Sequence, residues 1–180
     1  MFGRITTIAA LVLALSAPAF AADSTDYELF KQVQSQVLKY PHFSIFDSVH
    51  ARLNNGVVEL TGKVTMPYKR DAIGERVAKV RGVAAVRNKI DVLPVSQFDD
   101  ELRFRIARAI YSNSNFYGYG SRVNPPIHII VEHGRVTLEG VVHNNVDRMI
   151  AQSIAGAFPS FKFTNDLKTT AEAREELEKL

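Results

Sequence analysis

The feature that most constrains this chain is an internal repeat with an offset of 78 residues. Residues 49–64 return as residues 127–142, and both copies keep a histidine, a turn glycine and a strand glycine at matching positions. The matched pairs are His50 with His128, Gly56 with Gly134, and Gly62 with Gly140. Self-similarity at one fixed offset indicates that a whole structural unit was duplicated. We therefore expect two copies of one module.

Each copy contains the pattern of a β-hairpin. Apolar residues alternate with polar ones over residues 49–53 and 58–64, and period two is typical of half-buried strands. Asn-Asn-Gly at 54–56 and Glu-His-Gly at 132–134 predict the turns, because these residues tolerate a positive φ. Gly62 and Gly140 fall inside strands, where glycine indicates a bulge or a close backbone approach.

Apolar residues with helical spacing flank each hairpin, and a third strand follows at 82–92 in copy one and at 161–167 in copy two. The stripes before the hairpins are Leu29, Val33, Val37 and Leu102, Ile106, Ile110; those after them are Ile73, Val77, Val80 and Val146, Ile150, Ile154, Phe158. Asp26, and either Asp99 or Asp100, are candidate caps of the first helices, and Asn144 or Asn145 of a later one. The fold class is therefore α+β: two tandem α-β-β-α-β modules, each a three-stranded mixed sheet with two helices on one face.

The N-terminus has the layout of a secretory signal peptide. Arg4 precedes an apolar run at 8–15, and Ala19-Phe20-Ala21 forms an A-x-A site. We expect cleavage after Ala21 and a periplasmic protein; an uncleaved anchor is the alternative, although the run is shorter than the roughly 20 residues of a bilayer span. The chain has no cysteine, so disulfides and a lipid on a cysteine at the cleavage site are excluded.

The expected boundaries follow from these segments. The signal peptide is 1–21, the first module 26–93, the linker 94–98, the second module 99–168, and a short C-terminal helix 169–180. Thr169 and Glu172 form a capping box for that last helix. The linker is too short and too poor in Gly and Ser to act as a free tether, so we expect a partly fixed arrangement of the modules.

The glycines of both copies and the run Val83-x-x-Val86-x-Asn88-x-Ile90-x-Val92 resemble the BON domain family (bacterial osmotically inducible protein Y and nodulation). The resemblance covers nearly all of the chain after residue 21. Copy two departs from the pattern: it carries about five extra residues at 117–121, and Pro159-Ser160-Phe161 replaces the Gly-Val opening of its third strand. Small residues, Ala151 and Ala155, stand opposite Ile73 and Val77 of copy one.

The resemblance implies binding rather than catalysis, in exported proteins linked to phospholipid binding, envelope integrity, osmotic stress and periplasmic chaperoning. We expect a non-enzymatic protein that binds anionic phospholipid or an envelope surface; the alternative is a soluble periplasmic chaperone or stress adaptor that binds client proteins. The net charge of +3 is too small to indicate a nucleic-acid partner. It is unevenly placed, because residues 27–93 carry 11 Lys and Arg against 6 Asp and Glu, a net +5, whereas residues 99–167 carry 7 of each.

The main candidate binding surface is the side of the first helix of copy two that faces away from the predicted core, with the loop after it. Arginine beside amphipathic aromatics suits the boundary between lipid head groups and acyl chains. The candidate residues are Arg103, Phe104, Arg105, Arg108, Tyr111, Phe116, Tyr117 and Tyr119. The alternative is that Phe104 and the tyrosines fill an interface between the modules.

A second basic cluster lies on the second helix of copy one, where a solvated helix face is the alternative. Its members are Lys69, Arg70, Arg76, Lys79 and Arg81. His50 and His128 lie between core-facing neighbours and are expected at the surface, and no histidine has the spacing of a metal site. No catalytic residue, metal or cofactor is predicted, because no nucleophile, base and orienter stand in a recognisable pattern.

Overall fold

The computed structural model describes the backbone of residues 20–177 and the side chains of residues 26–177. The predicted signal peptide lies outside the described residues except for its last two positions, and residues 178–180 lie outside them as well. Within the part of the chain that is described, no helix has both the length and the hydropathy needed to cross a bilayer.

The first module has the predicted order of elements. Its members are α1 (Phe20–Leu38), β1 (Ser48–Asn54), β2 (Val57–Val64), α2 (Pro67–Ala78) and β3 (Ala85–Val92). β2 is the central strand: it pairs antiparallel with β1 across the turn and parallel with β3 across the α2 crossover.

The second module repeats this plan with β5 in the centre, antiparallel to β4 and parallel to β6. Its elements are α3 (Gln97–Tyr111), a 3₁₀ turn (Ser114–Phe116), α4 (Tyr117–Gly120), β4 (Ile127–Glu132), β5 (Arg135–Val142), α5 (Asn145–Gly156), β6 (Lys162–Thr169) and α6 (Thr170–Leu177). The predicted α+β class, with two three-stranded mixed sheets, is confirmed.

Apart from Val146 at the start of α5, which is 63 % exposed, the apolar stripes of the helices pack against one face of each sheet. Val33, Ile73 and Val77 are at most 1 % exposed in the first core, beside Leu60 from the central strand. Ile106 and Ile110 have the same role in the second core. A fully buried aliphatic side chain contributes about 1.5–3 kcal/mol relative to an exposed one, so these stripes are the main source of each module's stability.

The two strand glycines allow a close backbone approach, as their position in the sequence predicts. Gly62 has φ +115° and Gly140 has φ +120°. A Cβ on Gly62 would overlap the carbonyl oxygen of Ser48, and one on Gly140 would overlap that of Pro126. Glycine is required at both places because any side chain would collide with fixed backbone.

Two predicted helix caps are wrong. Asp26 lies inside α1, which begins before it. The cap of α3 is Ser96, whose side chain accepts a hydrogen bond from the Asp99 amide, so α3 begins inside the predicted linker. Asp99 is instead 1 % exposed, and its carboxylate accepts hydrogen bonds at 2.8 Å from the amides of His133 and Gly134 in the second hairpin turn.

Two other predicted caps are confirmed. The Asn144 side chain accepts from the Asp147 amide at the start of α5. Thr169 and Glu172 form the capping box of α6: each accepts a hydrogen bond from the backbone amide of the other.

The segment between α1 and β1 makes the noncovalent contact between the modules. The Ile45 carbonyl accepts a hydrogen bond of 2.8 Å from the Ile129 amide on the edge strand β4. Ile45 and Phe46 pack against the core of the second module, and the Asn124 side chain donates to the Leu38 carbonyl. A backbone hydrogen bond with apolar contacts beside it restrains the modules more than a short linker could alone.

Candidate functional site

Four of the eight candidate residues around α3 are exposed as predicted, and we call them the α3 surface: Phe104, Arg105, Arg108 and Tyr117. Phe104 is 62 % exposed and contacts Phe46 edge-on, with 4.8 Å between ring centroids. The Arg105 guanidinium lies 5.4 Å from the centre of the Phe158 ring. Phe104 thus belongs partly to the contact between modules, which was the alternative reading of this residue.

Arg103 is not on the surface, so its predicted placement is wrong. It is 3 % exposed, its guanidinium donates to the Val131 carbonyl at 3.0 Å, and it lies 3.1 Å from an Asp100 carboxylate oxygen. The residue stands at the edge of the apolar stripe, and its long side chain reaches across to β4. Its guanidinium is therefore used in contacts within the second module and is not exposed for a ligand.

Phe116 and Tyr119 are core residues, which also corrects the prediction. Phe116 is 0 % exposed and Tyr119 is 3 % exposed, in one cluster with Ala151 and Ala155 of α5. The two alanines leave the space that larger residues fill in the first module. The segment after α3 supplies two aromatic rings to that core, Phe116 just before the extra residues 117–121 and Tyr119 within them. Phe116 and Tyr119 therefore compensate for the small side chains of α5, because protein interiors remain close-packed.

Two tyrosine hydroxyls bind backbone groups. The Tyr119 hydroxyl donates to Asp147 at 2.6 Å and accepts from the His143 amide at 2.7 Å, and burial together with that carboxylate raises its pKa to about 12. Tyr111, also a candidate, is half-buried; its hydroxyl donates to the Ile127 carbonyl and accepts from the Ile127 amide. Burial raises the pKa of Tyr111. Both therefore stay neutral in their structural positions.

Lys69 does not belong to the second basic cluster, because its predicted position on the surface is wrong. Lys69 is 6 % exposed, and its ammonium lies 2.7 Å from a carboxylate oxygen of Asp47, which is fully buried. Burial opposes ionisation of Asp47, but hydrogen bonds from Lys69, Thr65 and Ser44 outweigh it and lower its pKa. This buried ion pair anchors the start of α2 beneath the segment that joins the modules.

The other four members of the cluster divide into two pairs. Arg70 binds its neighbour Asp71, and Arg76 donates to the Gln36 carbonyl on α1. Lys79 and Arg81 are exposed. Both line one opening on the surface.

That opening, the α1–α2 groove, has a volume of about 410 Å³. It is lined by Lys31, Gln32, Ser35, Gln36, Lys39, Lys79, Val80 and Arg81. Four of these side chains are cationic and none is acidic, although Lys31 also lies 3.6 Å from Glu28 on its own helix. Like charges gathered in one opening create a positive potential that attracts anions.

The α1 residues of the groove were missed at the level of sequence, yet a signal for them exists. Lys31, Ser35 and Lys39 follow one another at intervals of four residues, which places Lys31 and Ser35 on one stripe of α1 and Lys39 just after its last residue. They lie beside the buried stripe of Leu29 and Val33. Only the structure shows that this stripe meets the end of α2.

The two repeat histidines lie in different environments. His50 is exposed, and its Nε2 lies 2.8 Å from Glu139 of the other module, a hydrogen bond that raises the His50 pKa. His128 faces away from its own core as predicted but is half-buried rather than on the surface: its ring lies 5.5 Å from that of Phe43, and burial lowers its pKa. No group of three or more metal-ligating side chains occurs among residues 26–177.

The contact between modules includes two more polar pairs. The Ser48 hydroxyl donates to Glu139 at 2.5 Å, and the Lys63 ammonium donates to Glu132, also at 2.5 Å. These residues lie on the sheet faces that the helices leave open, so the polar faces of the two sheets partly meet.

Comparison with solved structures finds similarity to CdsD, a structural protein of the type III secretion system of Chlamydia trachomatis. Its C-terminal domain is 15 % identical, with 84 % of this chain and 69 % of that chain covered and a TM-score of 0.33. Another CdsD structure is 13 % identical, with 84 % and 97 % covered and a TM-score of 0.28. TM-scores this low do not define a shared arrangement of modules.

Comparison with curated proteins finds no match to this chain. The family profile described as BON domain matches twice, at residues 25–94 and 99–173, which together span most of the chain. These two matches coincide with the two α-β-β-α-β modules and confirm the resemblance seen in the glycines and third strand. The chain belongs to the BON domain family and carries two copies of the domain.

Proposed function

We propose that this chain is an exported, non-enzymatic envelope protein that binds the surface of anionic phospholipid membranes. The observation that carries the proposal is the α1–α2 groove, where four cationic side chains line one opening without an acidic neighbour in the lining. Each Lys or Arg near an anionic surface contributes about 1 kcal/mol. Cations gathered within about one Debye length, about 8 Å at physiological salt, act on the same head groups.

The groove also has the polar groups and the size that a glycerophosphate head group needs. Gln32 and Gln36 supply amide donors, and Ser35 supplies a hydroxyl. A volume of about 410 Å³ exceeds what a lone phosphate would fill. Membership of a family linked to phospholipid binding supports the same ligand class.

Flotation of the purified protein with vesicles tests the proposal. Vesicles that contain phosphatidylglycerol in phosphatidylcholine are expected to carry the protein, neutral phosphatidylcholine vesicles are not, and higher salt should release it. Replacing Lys79→Glu together with Arg81→Glu should lower the partition constant at least about tenfold, because two attractions become repulsions.

The matched control is Arg52→Glu with Arg87→Glu, which changes the net charge by the same amount. Both arginines are exposed on the open face of the first sheet, opposite α1 and α2. Binding that falls equally in the two double variants would reject the groove and leave only a general charge effect. Binding unchanged by Lys79→Glu with Arg81→Glu would reject the groove outright.

The second candidate function, binding of client proteins, is favoured by one observation. Val146 and Met149, one turn apart on α5, are 63 % and 62 % exposed. A pair of exposed apolar side chains suits weak contact with unfolded segments. Suppression of client aggregation without lipid, lost on Val146→Ser with Met149→Ser, would support this role; aggregation curves that the protein leaves unchanged would reject it.

A further inference from the structure

Two phenylalanines stand exposed at one end of the second module. Phe161, just before β6, is 86 % exposed, and Phe98, in the first turn of α3, is 57 % exposed. Both rings approach the hairpin glycine: a Cβ on Gly134 would lie 2.6 Å from a Phe161 ring carbon and 3.5 Å from a Phe98 ring carbon. The two rings and the hairpin turn therefore form one surface, which we call the aromatic tip.

The tip is held in place by hydrogen bonds. The Phe161 amide donates to the Gly134 carbonyl at 2.9 Å. Asp99, the residue after Phe98, binds the amides of His133 and Gly134, which fastens the first turn of α3 to the same hairpin. The rings are thus presented on fixed backbone, and little conformational entropy is lost when they bind.

Two cations follow the tip residues along the chain: Arg135 comes directly after Gly134, and Lys162 comes directly after Phe161. Arg135 and Lys162 are cross-strand partners at the starts of β5 and β6, and both are exposed. Neither takes part in an ion pair or hydrogen bond among the residues that the structure describes. Exposed aromatic rings with cations at the adjacent backbone positions suit the boundary between anionic head groups and acyl chains.

The first module supplies an internal comparison. By strand register, Val57 and Ala85 occupy the positions of Arg135 and Lys162, and Ala84 precedes β3 as Phe161 precedes β6. A Cβ added to Gly56 would lie 3.4 Å from the Cβ of Ala84, whereas one added to Gly134 would meet the Phe161 ring. The same hairpin therefore folds without aromatic or cationic residues, so the fold does not require them.

We propose that the aromatic tip inserts Phe98 and Phe161 into the interfacial layer of an anionic bilayer while Arg135 and Lys162 contact lipid phosphates. The inference rests on the proposed membrane function and adds a second contact, made by the other module. The groove binds head groups through charge, and the tip adds burial of apolar surface, so the tip contribution survives salt that weakens the groove.

The absence of tryptophan from the chain allows a direct test. A Phe161→Trp variant carries a single indole at the tip, and an Ala84→Trp variant carries it at the matching place of the first module. With phosphatidylglycerol vesicles the first variant should show a blue shift of emission and quenching by brominated acyl chains, and the second should show neither. The pair Phe98→Ala with Phe161→Ala should lower the partition constant about tenfold, equivalent to about 1.4 kcal/mol.

The outcomes separate the two proposals. Vesicle flotation that depends on Lys79 and Arg81, with no shift or quenching in the Phe161→Trp variant, overturns the tip and leaves the groove standing. A blue shift that grows with protein concentration in the absence of vesicles also overturns it, because the tip would then join copies of the chain. A shift that persists in the Lys79→Glu, Arg81→Glu background supports the tip as a contact that does not depend on the groove.

Discussion

Lys69→Met should destabilise the protein strongly although it removes only one charge near a basic helix. Breaking a buried ion pair leaves an uncompensated charge and costs about 3–5 kcal/mol. Asp47 would keep four other hydrogen bonds, from the amides and hydroxyls of Ser44 and Thr65 at 2.7–3.0 Å. Because that shell still stabilises the carboxylate, we expect a loss near the lower limit, about 3 kcal/mol.

Urea unfolding followed by circular dichroism measures this loss, with Lys79→Met as the matched control. Lys79 is exposed, so its replacement should change stability by no more than about 0.5 kcal/mol. In the double variant Asp47→Asn with Lys69→Met, the loss should be smaller than the sum of the two single losses, because the charge left behind is gone. A loss below about 1 kcal/mol for Lys69→Met, the value of an exposed pair, would refute a buried pair.

The same pair has a pH signature. The pKa of Asp47 is lowered below its ordinary value of 3.8, because hydrogen bonds to the carboxylate outweigh the opposing effect of burial. Its contribution to stability is therefore complete above that value and is lost as the pH falls through the lower folded pKa. Lys69→Met should weaken this acid dependence.

Three further predictions concern the hairpins and the junction. The pKa of His50 is raised by its hydrogen bond to Glu139, so the stability that this pair contributes is present at mildly acidic pH and is lost as the pH rises through that pKa. The difference in melting temperature between wild type and His50→Gln should shrink over that range. A constant difference would contradict this prediction. Asp99→Ala should cost about 2–4 kcal/mol in urea unfolding, because two amides of the second hairpin turn lose a charged acceptor; a cost typical of an exposed carboxylate would argue against this role. Gly140→Ala should prevent folding of the second module or cost several kcal/mol, since its Cβ would overlap the Pro126 carbonyl, and a soluble, fully folded variant would be incompatible with that approach.

The architecture could be predicted from the sequence because the pattern of each element appears in both copies of the repeat. Gly62 and Gly140 alone indicate close backbone contact in both modules, and the strand register confirms it. Periodicity also identifies the buried stripes, such as Ile106 and Ile110 on α3. These features depend on local spacing, which a sequence shows directly.

Long polar side chains are where sequence reasoning fails. Lys69 lies four residues before Ile73, and Arg103 lies three residues before Ile106, so helical spacing puts both beside buried stripes although their charge favours solvent. Whether they bury depends on partners distant in the chain, the Val131 carbonyl and Asp47. Helical spacing gives the direction of a Cα–Cβ bond but not where four or five further bonds lead.

Asp99 shows the same limit for caps. An aspartate before an apolar stripe is a good N-cap, yet Ser96 takes that position and frees the Asp99 carboxylate for the hairpin. Both arrangements satisfy backbone amides, and only the approach of the hairpin turn decides between them.

The two histidines of the repeat explain why the modules should not be expected to do the same work. His50 and His128 occupy matching positions on matching edge strands, yet the pKa of one is raised by Glu139 and the pKa of the other is lowered by burial against the first module. A symmetric pair would show the same shift twice. The difference arises because the junction uses the open face of β1 and the edge of β4 in different ways, so each module leaves a different surface free. A cationic groove on the first module and an aromatic tip on the second are what such an asymmetric pair can offer to one membrane.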